Sequence, residues 1–499
     1  LKKLKNSSNK TKGLFNTSVI FHVIGTLTLL NGVLMLTCIP FSLIYDLDQK
    51  LHLDFITCSS LTISAGFLMR ILTQKHKNSE IKKRDGYLIV VGGWIFMTLF
   101  GSLPYLVSGS IPNITNAFFE TMSGFTTTGS TILNDIESLP KSILFWRSMT
   151  QWIGGMGIIV LTIAILPLLG IGGMELFIAE SPGPTKDKIH PRIKETAKRL
   201  WIIYFGLTSI ETIVLMFLGM NFFDAINHSL TTTSTGGFST KQDSIAAFQN
   251  PWIESVIVIF MLIAGTNFTL IYFGIKMKFS KILKNDEFKW YISSIFLIVL
   301  VLTFYHYLSS DISLIKSLRE ISFQVVSIVT TTGYATADYT IWGSFMTLIF
   351  FLFLFSGASA GSTSGGIKIV RIILLIKNSL LEFKRRLHPK GVIPVILNGS
   401  SISNQITYNL LAFIFLYLFI FTIGSILLAA LGLDILTSIS AVASAIGNVG
   451  PGIANVGPSY SYSHIPTFGK WILSLLMLMG RLEIFTVCLI FTPYFWKRI

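Results

Sequence analysis

Thr126-Thr127-Thr128-Gly129-Ser130-Thr131 decides how this chain is read, because close variants of it return three times further on. They are Thr232-Thr233-Ser234-Thr235-Gly236-Gly237-Phe238, Thr330-Thr331-Thr332-Gly333-Tyr334 and the degenerate Ile446-Gly447-Asn448-Val449-Gly450-Pro451-Gly452. Each follows an amphipathic run of roughly a dozen residues and precedes a segment long enough to cross a bilayer. Glycine tolerates positive φ and lets backbone approach a ligand, so an extended Thr-Gly segment can aim successive carbonyl oxygens at an ion. Four such turns in one chain suggest four walls around one axis.

Composition places these turns in a membrane. Hydrophobic residues make up 51% of the chain, charged residues 13%, and the mean hydropathy is +0.67; soluble domains carry about 25% charged residues. Ten apolar segments are candidate spans: 19–45, 55–72, 87–107, 143–169, 200–220, 252–273, 290–308, 341–376, 406–431 and 468–494. All are expected to be helical, since barrel strands would give short alternating segments. The run at 19–45 is longer than a secretory signal core and reads as the first membrane helix.

The net charge of +15 is not a nucleic-acid footprint. Thirty of the 39 Lys and Arg residues fall in 1–12, 75–84, 186–199, 276–289, 368–390 and 497–498. These groups sit at alternate ends of the spans, which predicts a multi-pass protein with both termini in the cytoplasm and no nucleic-acid partner. Cys38, Cys58 and Cys488 lie in or beside apolar segments without metal-ligand spacing and read as small core residues.

The expected fold is an all-α integral membrane protein. Residues 1–85 form an added helical hairpin, followed by four linked units at 86–195, 196–285, 286–395 and 396–499. Each unit reads as helix, short helix, turn, helix. The short elements are 114–125, 222–230, 318–329 and 434–445. A helix of about twelve residues covers roughly 18 Å, so it must re-enter the membrane rather than cross it. Its C-terminal dipole end then faces the turn and favours a cation. Aligning the Thr-Gly dipeptides puts the central glycines at 129, 236, 333 and 450, separated by 107, 97 and 117 residues.

Two further features stand out. The second span of the third unit is interrupted by Ser356-Gly357-Ala358-Ser359-Ala360-Gly361-Ser362-Thr363-Ser364-Gly365-Gly366, too rich in Gly and Ser for a dependable helix. It reads either as non-helical backbone lining an inner cavity, opening at small cost, or as a small-residue stripe for helix packing. Arg481 lies inside the last span; it reads either as a charge facing a cavity below the turns or as half of an ion pair, with Glu483 or another acid.

These turns, with Gln151-Trp152-Ile153-Gly154-Gly155-Met156-Gly157, Ala360-Gly361-Ser362-Thr363-Ser364-Gly365-Gly366-Ile367-Lys368 and Gly480-Arg481-Leu482-Glu483-Ile484-Phe485-Thr486, resemble the Trk/Ktr/HKT superfamily of potassium transporters. The added hairpin makes the chain most similar to the TrkH/TrkG membrane-subunit branch of the bacterial Trk uptake system. The resemblance implies potassium as the transported and bound ion, with no organic cofactor. The implied filter residues are Thr127, Thr128, Gly129, Thr235, Gly236, Thr332, Gly333, Asn448, Val449 and Gly450. It implies a gate at Gly357, Gly361, Gly365 and Gly366, with Arg481 beneath the filter. It also implies a homodimer in the bacterial cytoplasmic (inner) membrane, in contact with lipid and with a cytoplasmic nucleotide-binding regulatory subunit of the TrkA type.

The alternative is an alternating-access symporter coupled to sodium or protons, a class that binds substrate between inverted repeats. Units of even crossing number and equal orientation favour a pore. An enzyme is not expected, because the eight histidines are scattered, no HExxH motif occurs, and serine-rich loops alone lack a base.

Overall fold

The computed structural model describes residues 15–47, 50–74, 82–169 and 193–497, with the side chains of 83, 156–169 and 193–197 outside the description. The basic groups at 1–12 and most of those at 75–84 and 186–199 therefore lie outside the described residues. Regular structure among the described residues is helical apart from a hairpin, Val395–Leu397 with Ser400–Ile402, and one bridge between Ser356 and Ile367. Helix is what a chain this apolar must adopt, since lipid offers no partners for backbone N–H and C=O groups.

Among the described residues six helices are long and apolar enough to cross a membrane, and eight if each of two bent pairs counts as one span. The six are Thr17–Tyr45, Leu51–Thr73, Arg84–Val107, Lys198–Phe217, Asp286–Ser309 and Asn404–Ala430. Of the ten expected segments, two remain. Helix Lys141–Leu169 is continuous in backbone, but its side chains are described only to residue 155. The segment 341–376 is split into Ser344–Phe353 and Ile369–Leu387.

Helices also break where the sequence analysis expected continuity. Pro251–Ala264 meets Phe268–Ile275 at 107°, and Thr467–Arg481 meets Ile484–Ile490 at 119°. Asn267 turns the first corner by capping Thr269 N at 2.8 Å, and Glu483 turns the second with φ +68°. Bends at these points free backbone groups that must find partners in the protein.

Four shorter helices end at the four turns: Ile114–Phe125, Phe222–Thr233, Leu314–Val329 and Ile435–Gly447. Each begins at a residue whose side chain accepts a bond from the backbone three residues on: Asn113, Asn221, Ser313 and Asp434. Such caps satisfy donors that an isolated helix start leaves open. The Thr437 hydroxyl and amide hold the exposed Asp434 carboxyl below the usual carboxylate range, which keeps this cap charged. The final turns of all four helices are buried.

The buried apolar side chains form two main bodies. One joins the N-terminal hairpin to the helices around the first and fourth turns, and the other lies around the second and third. The four turns lie among these two bodies.

Candidate functional site

The backbone of the turns repeats closely. Thr127, Thr235, Thr331 and Asn448 adopt left-handed conformations, with φ of 51°, 53°, 58° and 53°. Each donates its N–H back into the helix, to the carbonyls of Gly124, Thr232, Ile328 and Ala445 at 2.9, 2.9, 2.9 and 3.3 Å. Two residues further on, Gly129, Gly237, Gly333 and Gly450 have φ of 85°, 78°, 80° and 103°.

This geometry corrects the register of the second turn. The counterpart of Gly129, Gly333 and Gly450 is Gly237, whereas Gly236 occupies the place of Thr128, Thr332 and Val449. Matching the Thr-Gly dipeptides slipped by one residue because helix Phe222–Thr233 hands over to the turn at Ser234, the counterpart of Thr126 and Thr330. Gly237 is thus a site residue that the motif alone missed; its signal was the second glycine of a Gly-Gly pair.

The turns meet one another in cyclic order. A Cβ added to Gly129 would fall 2.3 Å from the Gly236 carbonyl oxygen, one on Gly237 1.8 Å from that of Thr332, and one on Gly333 2.0 Å from that of Val449. The cycle closes with Gly450, where the added atom would lie 2.7 Å from the Thr128 carbonyl oxygen. Each glycine is therefore required twice, by its positive φ and by the neighbouring backbone. On one side of the turns, a cavity is lined by all four of these glycines and by Ser130, Arg147, Lys241, Gln242, Tyr460 and Tyr462. Lys241, at its rim, reaches Glu137 at 2.8 Å, and that contact raises its pKa above the ordinary lysine value.

Oxygen is the chemistry available here. Among the described residues no three His, Cys, Asp or Glu side chains cluster to hold a metal. Backbone carbonyls and hydroxyls crowd the turns instead, and the buried oxygens Thr127 Oγ1 and Asn448 Oδ1 have no hydrogen-bond partner among the described residues. Such a donor set suits a hard monovalent cation that has shed its water.

One helix holds the first two turns from behind. On Lys141–Leu169, Gln151 donates from Nε2 to the Gly236 carbonyl at 2.6 Å and accepts at Oε1 from Phe238 N at 3.0 Å. One turn earlier, Arg147 donates to Glu120 Oε1 at 2.7 Å and to the Ser239 carbonyl at 2.9 Å, with its guanidinium 3.6 Å from the centre of the Phe238 ring. Glu120 also accepts from Thr131 Oγ1 and Ile132 N, both at 2.9 Å. Glu120 and Arg147 escaped the motif reading, and Gln151 entered it only as part of a glycine-rich motif, without this role. The available signal was three ionisable or amide side chains within apolar stretches, each of which needs a partner at membrane depth.

The Gly-Ser segment lies directly beneath the turns. Gly365 N donates to Thr331 Oγ1 at 2.7 Å, and Thr363 Oγ1 donates to the Thr233 carbonyl at 3.1 Å. A Cβ on Gly365 would lie 2.5 Å from the Gly447 carbonyl oxygen. Residues 354–368 contain no α-helix, as expected, but they are not loosely held. Ser359 N bonds the Gly265 carbonyl at 3.0 Å, Gly361 accepts from Phe268 N at 3.1 Å, and Ala360 N bonds Glu287 Oε1 at 2.6 Å. The broken corner at Gly265–Asn267 thus supplies partners for this segment. These ties supply partners for backbone that the break frees from helical bonding.

Arg481 reaches the same segment, donating to the Thr363 carbonyl at 2.7 Å and to the carbonyls of Gly154 and Gly155 at 2.6 and 2.8 Å. Glu483, offered by the sequence as a partner for Arg481, makes a two-pronged pair with Arg371 at 2.8 and 3.0 Å.

Comparison with known proteins gives the family. Residues 51–498 match the TrkH family of cation transport proteins. The chain is 38% identical over 483 residues to the Trk system potassium uptake protein TrkH of Halomonas elongata, covering 96% of this chain and 99% of the relative. It is 36% identical over 491 residues to the Trk system potassium uptake protein TrkG of Escherichia coli K12, with 97% and 100% coverage. The crystal structure of the potassium transporter TrkH from Vibrio parahaemolyticus superposes with a TM-score of 0.86 at 36% identity, covering 97% of this chain and all of that one. Sequence and fold therefore converge: this chain belongs to the TrkH family of cation transport proteins.

Proposed function

We propose that this membrane protein takes up potassium through a channel-like passage, with the four turns forming a selectivity filter of backbone carbonyls. The observation that carries this reading is the cyclic contact of the turns, each glycine against the middle carbonyl of the next. An entering ion gives up its water, and carbonyls held at fixed separation replace that shell. The drive is the membrane potential, about 2.3 kcal/mol per charge for each 100 mV. The filter residues are Thr127, Thr128, Gly129, Thr235, Gly236, Gly237, Thr332, Gly333, Asn448, Val449 and Gly450, at the centres of four pseudo-equivalent units bounded at 86–195, 196–285, 286–395 and 396–499. Relatives named as potassium uptake proteins make the function transport rather than catalysis. No observation here favours the alternating-access symporter.

The segment Gly357–Gly366 serves as the gate in this reading. It underlies three of the turns, and Arg481 ties it to the helix carrying Gly154 and Gly155. Removing the guanidinium deletes these bonds and a positive charge near the ion path. Arg481→Ala is therefore expected to raise rubidium flux several-fold in vesicles reconstituted with the purified protein; flux at or below that of the parent contradicts the gate assignment.

The protein is further proposed to lie in the cytoplasmic membrane as a homodimer with both termini inside. The exposed residues Lys276, Lys278, Lys281, Lys284, Lys289, Lys384, Arg386 and Lys390 form a basic inner face. It would meet anionic lipid and a TrkA-type nucleotide-binding subunit. Co-purification from native membranes that never yields a cytoplasmic subunit would count against that partner.

A further inference from the structure

The four glycine carbonyls of the turns are not equivalent. Gly450 O accepts three hydroxyls: Tyr462 Oη and Ser444 Oγ at 2.8 Å and Ser130 Oγ at 3.1 Å. Tyr462, Ser444 and Ser130 are all buried, and so is Gly450 itself. The carbonyls of Gly129, Gly237 and Gly333 accept no hydrogen bond from any described residue, and these three glycines are partly exposed. A carbonyl oxygen has two lone pairs, so three hydroxyl donors saturate it. Turning it towards an ion would strand buried hydroxyls without partners.

Tyr462 is fixed for this task from two sides. Its backbone N–H donates to the Thr131 carbonyl at 2.8 Å, beyond the first turn, and its ring packs against Phe119 with centroids 5.8 Å apart. The hydroxyl therefore arrives at Gly450 on a rigid support shared with the neighbouring unit. No counterpart of this three-hydroxyl cradle exists at the other glycines among the described residues.

We propose that the fourth turn withdraws one ligand from the ion path. At the glycine level the ring offers three carbonyls, those of Gly129, Gly237 and Gly333, while Tyr462 and Ser444 hold the fourth in the protein wall. Tyr462 is then a positioning residue that limits discrimination between potassium and sodium. The inference rests on the filter reading given above and refines it.

The direction of the expected effect separates this role from simple scaffolding. Freeing the Gly450 carbonyl supplies a fourth ligand, and a fuller carbonyl ring favours the larger ion. Tyr462→Phe keeps the ring and its packing while removing the hydroxyl. In reconstituted vesicles, rubidium uptake in competition with sodium should show potassium-over-sodium discrimination raised about threefold in Tyr462→Phe, and further in Tyr462→Phe with Ser444→Ala. A scaffolding role predicts reduced discrimination or reduced flux instead.

Gly333→Ser serves as the reference, since it disturbs the ring directly whatever Tyr462 does. If Gly333→Ser loses discrimination and the Tyr462 variants keep or lower it, the withdrawn ligand is refuted and the filter stands. If Gly333→Ser itself leaves discrimination unchanged, the filter reading fails and this inference with it. Should Tyr462→Phe not assemble, Ser444→Ala alone is judged by the same rise or its absence.

Discussion

Replacing Gly237 by alanine is expected to abolish discrimination between potassium and sodium while leaving a protein that still inserts in the membrane. The backbone there has φ +78°, a region that costs an L-residue roughly 1–2 kcal/mol. Strain alone is tolerable. The larger obstacle is the added methyl carbon, 1.8 Å from the Thr332 carbonyl oxygen and 3.2 Å from the Gly333 carbonyl carbon. Both are backbone atoms and cannot rotate aside, so one turn must shift by more than an ångström against the other. A carbonyl ring tuned to one ion radius does not survive such a shift.

Two comparisons make the test specific. Gly109 has φ +71° with nothing within 4 Å of an added Cβ, so Gly109→Ala meets the same kind of strain without the collision. It should retain parental selectivity. At Gly236 the three atoms nearest the added one all belong to the far end of the Gln151 side chain, the first 2.4 Å away, which can withdraw. Gly236→Ala should therefore be milder than Gly237→Ala. The reverse order in competition flux assays would restore the register suggested by the Thr-Gly dipeptides.

Arg147→Ala is expected to lower stability by about 3–5 kcal/mol, because it leaves the Glu120 carboxylate buried without its cation. Both side chains are 2% exposed or less. Glu120 would keep the bonds from Thr131 Oγ1 and Ile132 N, which do not neutralise it. The same substitution releases the Ser239 carbonyl and the face of Phe238, so the strand leaving the second turn loses its anchor to the first. Thermal inactivation of the purified protein measures the first effect. The paired change Glu120→Gln with Arg147→Met should recover much of the loss, since a matched neutral pair avoids the stranded charge. An Arg147→Ala protein as heat-resistant as the parent would show that the pair is not structural.

The outline of this fold was legible because its strongest signals are local. Long apolar segments, basic inter-helix groups and a repeated Thr-Gly turn each follow from a few adjacent residues, and the spans at 17–45, 51–73 and 286–309 lie close to where hydropathy placed them. The gate-like break at 354–368 was legible for the same reason, since glycine and serine weaken a helix wherever they cluster.

What escaped depends on contacts between distant segments. The corner at Gly265-Thr266-Asn267 carries little glycine, and its cause is the neighbouring segment whose Ser359 N and Gly361 O take up its freed groups. The register of the second turn was hidden because Gly236 and Gly237 are interchangeable as letters, and only the hand-over from helix at Ser234 separates them. Gln151 holds atoms 85 and 87 positions away, and Arg147 holds Glu120 and the Ser239 carbonyl 27 and 92 positions away; no local pattern reports such pairings. The ties on the segment 354–368 were hidden similarly, because composition shows how little apolar surface a segment has but not how many hydrogen bonds await it.

The most direct measurement is the position of a heavy monovalent cation in the experimentally determined structure of the protein prepared in rubidium or thallium. The account predicts density on the axis bounded by the turns at Thr127–Gly129, Thr235–Gly237, Thr331–Gly333 and Asn448–Gly450. At the glycine level it should lie nearer Gly129, Gly237 and Gly333 than the Gly450 oxygen. Reproducible density elsewhere in the membrane region, with none between the turns, would contradict the claim that these four segments bind the transported ion.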